Sequence, residues 1–288
     1  MTASSSAWPG WPEAVTHLLL QTRDTTFDLP LFLTISVCAV LAVAVAVPRQ
    51  ILSILDGRED GGAGLPSRRL VMIGAGVQQS LIAVGLTAVG TALAPGTGLS
   101  APWFHAVSRG RPGLGEAAAQ IPAALLVGGL CTAVFLIVYY RGFRPRMSEA
   151  QVARTEALRT ALGLPGRVLM GGVAEEVMFR WGVMSFFAWL TIPVAGLSQP
   201  SGMWIAITVS GILFGLGHLP GAVAVGVEVT RLVVAAAVVL NLIVAIGFGW
   251  LFWQYGLLAA VIAHALLHVV WHPLERRAAR VLAPVPSP

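Results

Sequence analysis

Residues 166–190 read GRVLMGGVAEEVMFRWGVMSFFAWL, an apolar run with two adjacent glutamates, Glu175 and Glu176, near its middle. Arg180 follows Glu176 at a distance of four residues. A charged side chain at the centre of a membrane helix costs roughly 2.5–3.5 kcal/mol, whereas each apolar residue recovers only roughly 0.3–0.6 kcal/mol. We therefore expect these carboxylates to face the protein interior or a hydrated cavity and not lipid.

The composition of the whole chain indicates an integral membrane protein. Of its 288 residues, 56% are hydrophobic and 11% are charged, whereas soluble domains carry roughly 25% charged residues. Several apolar runs approach the roughly 20 residues that a spanning helix needs, namely 29–47, 70–93, 117–140, 166–190, 199–219, 231–253 and 256–272. We predict an all-α, polytopic transmembrane helix bundle of about seven or eight spans. The count depends on whether the short apolar stretch 220–230 enters the membrane.

The arginines indicate topology. All 18 basic residues are arginine, and the net charge is +5. Because they lie in short segments between apolar runs, we predict no nucleic-acid partner. With seven spans, the arginine-rich segments 48–69, 141–165 and 273–288 lie on one side. The positive-inside rule places that side, with the C-terminus, in the cytoplasm and the N-terminus outside. The expected location is the bacterial plasma membrane.

The distribution of apolar runs, arginines and motifs divides the chain into five parts. An N-terminal polar segment, 1–28, precedes N-terminal transmembrane helices at 29–140. A cytoplasmic connection at 141–165 contains an amphipathic stretch, 149–163, that we predict as an interfacial helix. The core at 166–272 carries the charged and histidine motifs. The tail, 273–288, ends in a Pro-rich sequence and is predicted to be disordered.

On a helix, the two adjacent glutamates of the first motif point in different directions and therefore have different partners. On a helix, Glu176 and Arg180 meet one turn apart, so that each compensates the other's charge. Glu175 points about 100° away and is not used by this pair. It is therefore suited to take a proton from water. The alternative is that all three residues form a cluster of ion pairs whose only role is to hold helices together.

Three histidines lie in later apolar runs. His218 ends the sequence FGLGH, and taken alone we would favour interpreting it as a hydrogen-bonded core or interfacial residue. His264 and His268 in HALLH share one helix face at metal-ligand spacing, but position 265 is Ala, so the motif is not HExxH. Glu175 lies about ten residues into its span, or roughly 15 Å, and the histidines have compatible depths. We expect convergence in the cytoplasmic half of the bilayer.

Three amide side chains also lie at membrane depth. Gln78 and Gln79 are in the second apolar run, and Asn241 is in the sixth. Polar side chains within spans commonly hydrogen-bond to neighbouring helices. We predict this role for all three.

The ordered motifs resemble a known family. EExxxR (Glu175, Glu176, Arg180), FxxxH (Phe214, His218) and HxxxB (His264, His268) are similar to the CPBP family, the CAAX prenyl protease 2 and lysostaphin resistance protein A-like group of intramembrane endopeptidases, also called Abi proteins. The resemblance covers residues 166–272. It implies hydrolysis of a peptide bond in a membrane-associated or lipidated, CAAX-like substrate, with membrane lipid around it.

The resemblance also implies roles for individual residues. Glu175 matches the general base and His218 its partner in activating water. His264 matches a residue that stabilises the oxyanion, and His268 stands where the family often has Asn. An imidazole N–H can replace an amide donor there. Glu176, Arg180 and Phe214 are then supporting residues.

Three alternatives stay open. Zn²⁺ bound by His218, His264 and His268 would make a metalloprotease at the same site, although we favour a metal-free, glutamate-dependent enzyme without a cofactor. Intramembrane carboxylates and histidines also mark proton or ion pathways in transporters, but we find no inverted repeat. A non-catalytic membrane immunity protein is the remaining alternative.

Overall fold

The computed structural model describes residues 27–56 and 66–282, with side chains up to position 276, and these residues form helices without any strand. Residues 168–194 form one continuous segment, α6, in which π-helical and α-helical turns alternate. The other α-helices are α1 Leu29–Asp56, α2 Arg68–Leu93, α3 Pro102–Ser108, α4 Leu114–Ile137, α5 Glu149–Arg167, α7 Gln199–Gly217, α8 Leu219–Ala224, α9 Arg231–Tyr255 and α10 Leu257–Leu282.

The predicted all-α membrane bundle is confirmed. Among the described residues, seven helical stretches are long and apolar enough to cross a membrane. The stretch 220–230 does not add an eighth. It begins with the short helix α8, which follows α7 directly and then gives way to turns before α9.

Two helices continue beyond their predicted ends. Helix α1 runs through Pro48 to Asp56, and α10 runs to Leu282. Residues 273–282 are therefore helical where we predicted a disordered tail, because Glu275 is held by ion pairs to two arginines of α5. Residues 283–288, and residues 1–26 of the predicted N-terminal polar segment, lie outside the described residues.

The predicted amphipathic helix at 149–163 is present as the first part of α5. Its N-terminus carries a capping box, in which the Ser148 side chain accepts from Gln151 N and the Gln151 side chain accepts from Ser148 N. The helix is kinked at Gly163, whose φ of 61° and ψ of 174° are open to glycine because it lacks a Cβ. The kink separates the amphipathic part from the apolar part that follows. Its position at a membrane surface stays a prediction.

Segment α6 lies at the centre of the bundle. It contacts α1, α2, α5, α7 and α10. The largest fully buried side chains include Trp181 on α6, Phe214 on α7 and Phe248 and Phe252 on α9. The charged motif of α6 is therefore surrounded by protein.

The three amide side chains have different surroundings. Gln79 Nε2 lies 3.3 Å from Met178 Sδ on α6, so its interhelical bond is confirmed. Asn241 Nδ2 donates over 2.8 Å to Ala237 O of its own helix, so that prediction is wrong. Asn241 uses a local carbonyl one turn away, which spacing alone does not reveal. Gln78 is exposed on the outer face of α2.

Candidate active site

The paired glutamates lie where α6 departs from α-helical geometry. One π-helical stretch is Val168–Glu175 and a second is Val177–Met184, with Glu176 between them. π-helical turns are rare and occur frequently at functional sites, because the wider turn re-aims side chains. The apolar pattern of the sequence did not reveal this geometry.

Glu176 connects two helices through a fully buried carboxylate. Its Oε2 lies 3.2 Å from Arg180 Nε, as the spacing predicted. Its Oε1 lies 2.7 Å from His264 Nδ1 on α10, a contact across 88 positions of sequence that no local pattern indicated. Because an ionised carboxylate only accepts hydrogen bonds, Nδ1 is the donor in this pair. Glu176 thereby fixes the orientation of the His264 ring.

Arg180 is fully buried and depends on two kinds of partner. Apart from the ion pair with Glu176, its guanidinium nitrogens form no hydrogen bond to a described residue. Its Cζ lies 5.2 Å from the centroid of the Phe214 ring. The negative face of an aromatic ring attracts a cation. Phe214 therefore contributes to stabilising the charge of Arg180.

Glu175 has a different environment from its neighbour. Its side chain is 19% exposed, whereas that of Glu176 is 0% exposed. Its Oε2 lies 3.9 Å from His264 Nε2, and it takes no part in the Glu176–Arg180 pair. Of the two adjacent carboxylates, Glu175 is the one that water can reach.

His264 and His268 pack the edges of their rings against Gly171 on α6. The rings are stacked, with centroids 5.0 Å apart and an interplanar angle of 24°. A Cβ built on Gly171 would lie 3.0 Å from His264 Nε2 and would collide with His268 Nε2. The two imidazoles can therefore approach α6 only because residue 171 has no side chain. The sequence offered one signal for it, the Gly171–Gly172 pair one turn before Glu175.

His218 lies at the edge of this arrangement and is exposed. Its Nδ1 lies 2.8 Å from Phe214 O, and since a carbonyl only accepts, Nδ1 donates. Its ring packs edge-on against the Phe214 ring at 4.8 Å between centroids. Among the described residues, no hydrogen bond or ion pair joins His218 to Glu175. With Nδ1 donating, the Nε2 of the neutral ring is left to accept a proton.

The structure thus brings together six of the seven predicted site residues by direct contacts, and it adds Gly171. The six are Glu175, Glu176, Arg180, Phe214, His264 and His268. The seventh, His218, joins them through Phe214. The contacts do not by themselves assign a role to any of these side chains.

The predicted zinc ligands do not fit a metal site as they are placed. Among the residues that the structure describes, no group of three or more His, Cys, Asp or Glu side chains is arranged to hold a metal ion. His218 and His264 each donate through Nδ1 to a protein oxygen, which leaves Nε2 as their free ring nitrogen, and the His264 and His268 rings lie face to face. Zinc sites require ligand atoms that converge at about 2.0–2.2 Å in a tetrahedral arrangement.

Comparison with known families agrees with the motifs. Residues 157–270 match the family model described as type II CAAX prenyl endopeptidase Rce1-like. The matched region contains every predicted site residue, and it confirms the resemblance predicted for residues 166–272. No significant match to the chain was found among curated proteins or among solved structures.

Proposed function

We propose that the chain is an intramembrane endopeptidase that hydrolyses a peptide bond of a membrane-associated or lipidated, CAAX-like protein or peptide. The match of residues 157–270 to the type II CAAX prenyl endopeptidase family supports this reaction class. The observation that carries the proposal is the contact of His264 with two carboxylates, one of them buried and the other open to water. A buried cluster of ion pairs with a purely structural role would leave neither carboxylate accessible to water.

In the proposed reaction, water is activated at Glu175. The Glu175 carboxylate accepts one proton from water, assisted by the free Nε2 of His218. The oxygen forms a bond to the scissile carbonyl carbon, and the carbonyl electron pair moves to its oxygen. When the tetrahedral intermediate collapses, the C–N bond breaks and the amine leaving group takes the proton from Glu175. General base catalysis of this kind contributes about 10²–10⁴-fold.

The proposed position of the oxyanion is within reach of the Nε2 atoms of His264 and His268. Both Nε2 atoms lie close to Gly171 and therefore to each other, which supports a role as donors to one common acceptor. Because His264 Nδ1 already donates to Glu176, its Nε2 donates only in the imidazolium form. Hydrogen-bond donors that are fixed before the reaction stabilise the developing charge without reorganisation.

Glu176, Arg180 and Phe214 act as positioning residues in this scheme. Glu176 orients His264, and Arg180 balances the charge of Glu176. Phe214 packs against Arg180 and His218, so that its displacement would disturb both. None of the three is proposed to contact the substrate.

We propose that the chemistry is metal-free, and this is supported by the finding that the described residues contain no group of three or more candidate ligands. The site is proposed to open to the cytoplasm, with the N-terminus outside and the surrounding lipid holding the apolar part of the substrate. The arginine distribution supports this orientation.

The test is cleavage of a fluorogenic farnesylated peptide by the purified chain in proteoliposomes. We expect wild type to release the C-terminal fragment at a rate that dialysis against a strong zinc chelator does not change. Glu175→Gln should abolish cleavage, while the matched variant Glu156→Gln, on a distant ion pair, should retain it. A rate that falls with chelator and returns with added Zn²⁺ would contradict the metal-free mechanism. Equal rates for wild type and Glu175→Gln would contradict the proposed base.

A further inference from the structure

The outer face of α2 is the least covered surface among the candidate spans. Only 11% of its most apolar window is buried within the protein, against 22–44% for the other six spans. The exposed residues recur every three or four positions along the helix, which places them on one stripe. They are Leu70, Ile73, Gly74, Val77, Gln78, Leu81, Ile82 and Gly85.

Gln78 is the polar residue of this stripe, and lipid chains cannot form hydrogen bonds with its amide. It lies ten residues after Arg68 at the start of α2, or roughly 15 Å along the axis and near the middle of a bilayer core. The adjacent Gln79 points inward and contacts Met178. Gln120 on α4 is also satisfied, donating to Glu116 O and accepting from Ala259 N. Among the described residues, the Gln78 amide has no such partner.

An exposed amide at this depth requires a hydrogen-bonding partner from outside the protomer. A primary amide carries two donors and an acceptor with two lone pairs. Left in hydrocarbon without a partner, such a group costs several kcal/mol. The amide is also complementary to itself, because the C=O of one copy accepts from the NH₂ of another.

The stripe has the shape for a close helix–helix approach. Gly74 lies one turn before Gln78 and Gly85 lies two turns after it, and a Cβ on either would meet nothing within 4 Å. Small residues around a polar residue allow two membrane helices to come into contact and hydrogen-bond. Around a two-fold axis through this face, each Gln78 would lie opposite its own copy.

We propose that the outer face of α2 is a homodimer interface, in which the Gln78 side chains of two copies hydrogen-bond to each other within the membrane. The partner is a second copy of this chain, because self-complementarity of the amide needs no other protein. The exposed residues of this stripe are not among the contacts described for the His264 and Glu175 site, and the proposed interface does not depend on the proposed activity.

The first test measures the dimer directly. The full-length chain, fused to a fluorescent protein, is reconstituted into liposomes at graded protein-to-lipid ratios, and photobleaching steps are counted. We expect a monomer–dimer equilibrium that Gln78→Leu weakens about 3- to 20-fold, the range for interhelical polar contacts in membranes. Gln79→Leu is the matched control and should leave the equilibrium unchanged. A wild type that stays monomeric at the highest density, or an equilibrium that Gln78→Leu leaves unchanged, overturns the proposal.

A second test locates the interface without relying on affinity. In a chain with Cys38→Ala and Cys131→Ala, an added Val77→Cys should form an oxidative crosslink between copies. Leu126→Cys, on an exposed face of α4 where the native leucine is 77% exposed, should not. Crosslinking at Leu126→Cys in place of Val77→Cys overturns the assignment of the face. Both tests use readouts other than proteolysis, so a failure of the proposed activity does not affect them.

Discussion

At the scale of single residues, the two adjacent glutamates differ in what surrounds them. Glu176 is fully buried and holds Arg180 and His264, whereas Glu175 is 19% exposed and takes no part in the pair with Arg180. We therefore expect changes at Glu175 to affect mainly activity and changes at Glu176 to affect mainly stability, although the two residues are adjacent in the sequence.

Exchange of each glutamate for glutamine tests this separation. Glu176→Gln should lower the free energy of unfolding by about 3–5 kcal/mol, because it leaves the buried Arg180 without its counter-charge. Glu175→Gln should leave thermal stability unchanged and remove activity. The measurement is thermal unfolding in detergent beside peptide cleavage for both variants. Equal destabilisation by the two changes would show that both carboxylates serve the fold.

Gly171→Ala should remove most of the activity while the fold persists. The new Cβ would collide with His268 Nε2 and crowd His264 Nε2, and a displacement of about 1 Å in an active site can cost about 10²-fold in rate. The control is Gly172→Ala, whose Cβ would lie 3.3 Å from Ala265 Cβ and not near an imidazole. Steady-state cleavage rates compare the two, and an equal loss in both would point to helix packing as the cause.

His268→Asn and His268→Leu distinguish an oxyanion donor from a packing residue. Asparagine keeps an N–H donor, so we expect His268→Asn to retain activity within about tenfold. Leucine keeps the volume but removes the donor, which should lower kcat by about 10²–10³. The kcat and KM of both variants are measured on the same peptide. A fully active His268→Leu would exclude the proposed role.

The local part of this site was predictable and the long-range part was not. The Glu176–Arg180 pair follows from helical spacing, and the structure confirms it. The contact of Glu176 with His264 joins α6 to α10 and depends on how the helices pack, which periodicity does not encode. His218 bonds to Phe214 O four residues before it, which is the hydrogen-bonded alternative that the sequence allowed, and among the described residues no bond joins it to Glu175.

At the scale of helices, the apolar runs predicted which segments cross the membrane, but not their local geometry. The run 166–190 satisfies the length and hydropathy of a span whether its turns are α-helical or π-helical, because neither property depends on the type of turn. The two π-helical stretches around Glu176 therefore had no signature in composition. The continuation of α10 past the predicted run was missed because its contact with α5 at Glu275 is made by ion pairs, which an apolar pattern does not indicate.

A second buried ion cluster joins α5 and α10. Glu275 Oε1 lies 2.7 Å from Arg159 Nε, and Glu275 Oε2 pairs with Arg167 Nη2. Arg159 Cζ also lies 4.7 Å from the centroid of the Trp271 ring. One carboxylate thus neutralises part of the charge of two guanidinium groups at the end of the bundle.

Glu275→Gln should destabilise the bundle by about 3–5 kcal/mol, because it leaves the buried Arg167 unpaired. The matched control is Glu156→Gln, which removes the Arg144 pair. In that pair the side chains are 19% and 26% exposed, so about 0–1 kcal/mol is expected. Thermal unfolding in detergent gives both values. At a temperature where the variant is folded, its cleavage rate should equal that of wild type, since Glu275 does not contact the proposed site residues.

At the scale of the whole molecule, the described residues contain seven candidate spans, and an odd number of crossings would place the two ends of the chain on opposite sides of the membrane. Arginine placement then predicts a cytoplasmic C-terminus. Single cysteines at Ser287 and Ser4, in a chain with Cys38→Ala and Cys131→Ala, can be labelled in intact cells with a membrane-impermeant maleimide. We expect labelling at Ser4→Cys and protection at Ser287→Cys until the membrane is opened. The reverse pattern would invert the topology and place the site near the outer face.

The central claim is that water, activated at Glu175, cleaves a peptide bond inside this bundle. Its most direct test is mass spectrometry of the products formed from a farnesylated peptide in H₂¹⁸O, with wild type and Glu175→Gln side by side in proteoliposomes. We expect one ¹⁸O in the new carboxyl group for wild type and at least about 10²-fold less product for Glu175→Gln. Intact peptide with wild type, or equal product from both proteins, would contradict it.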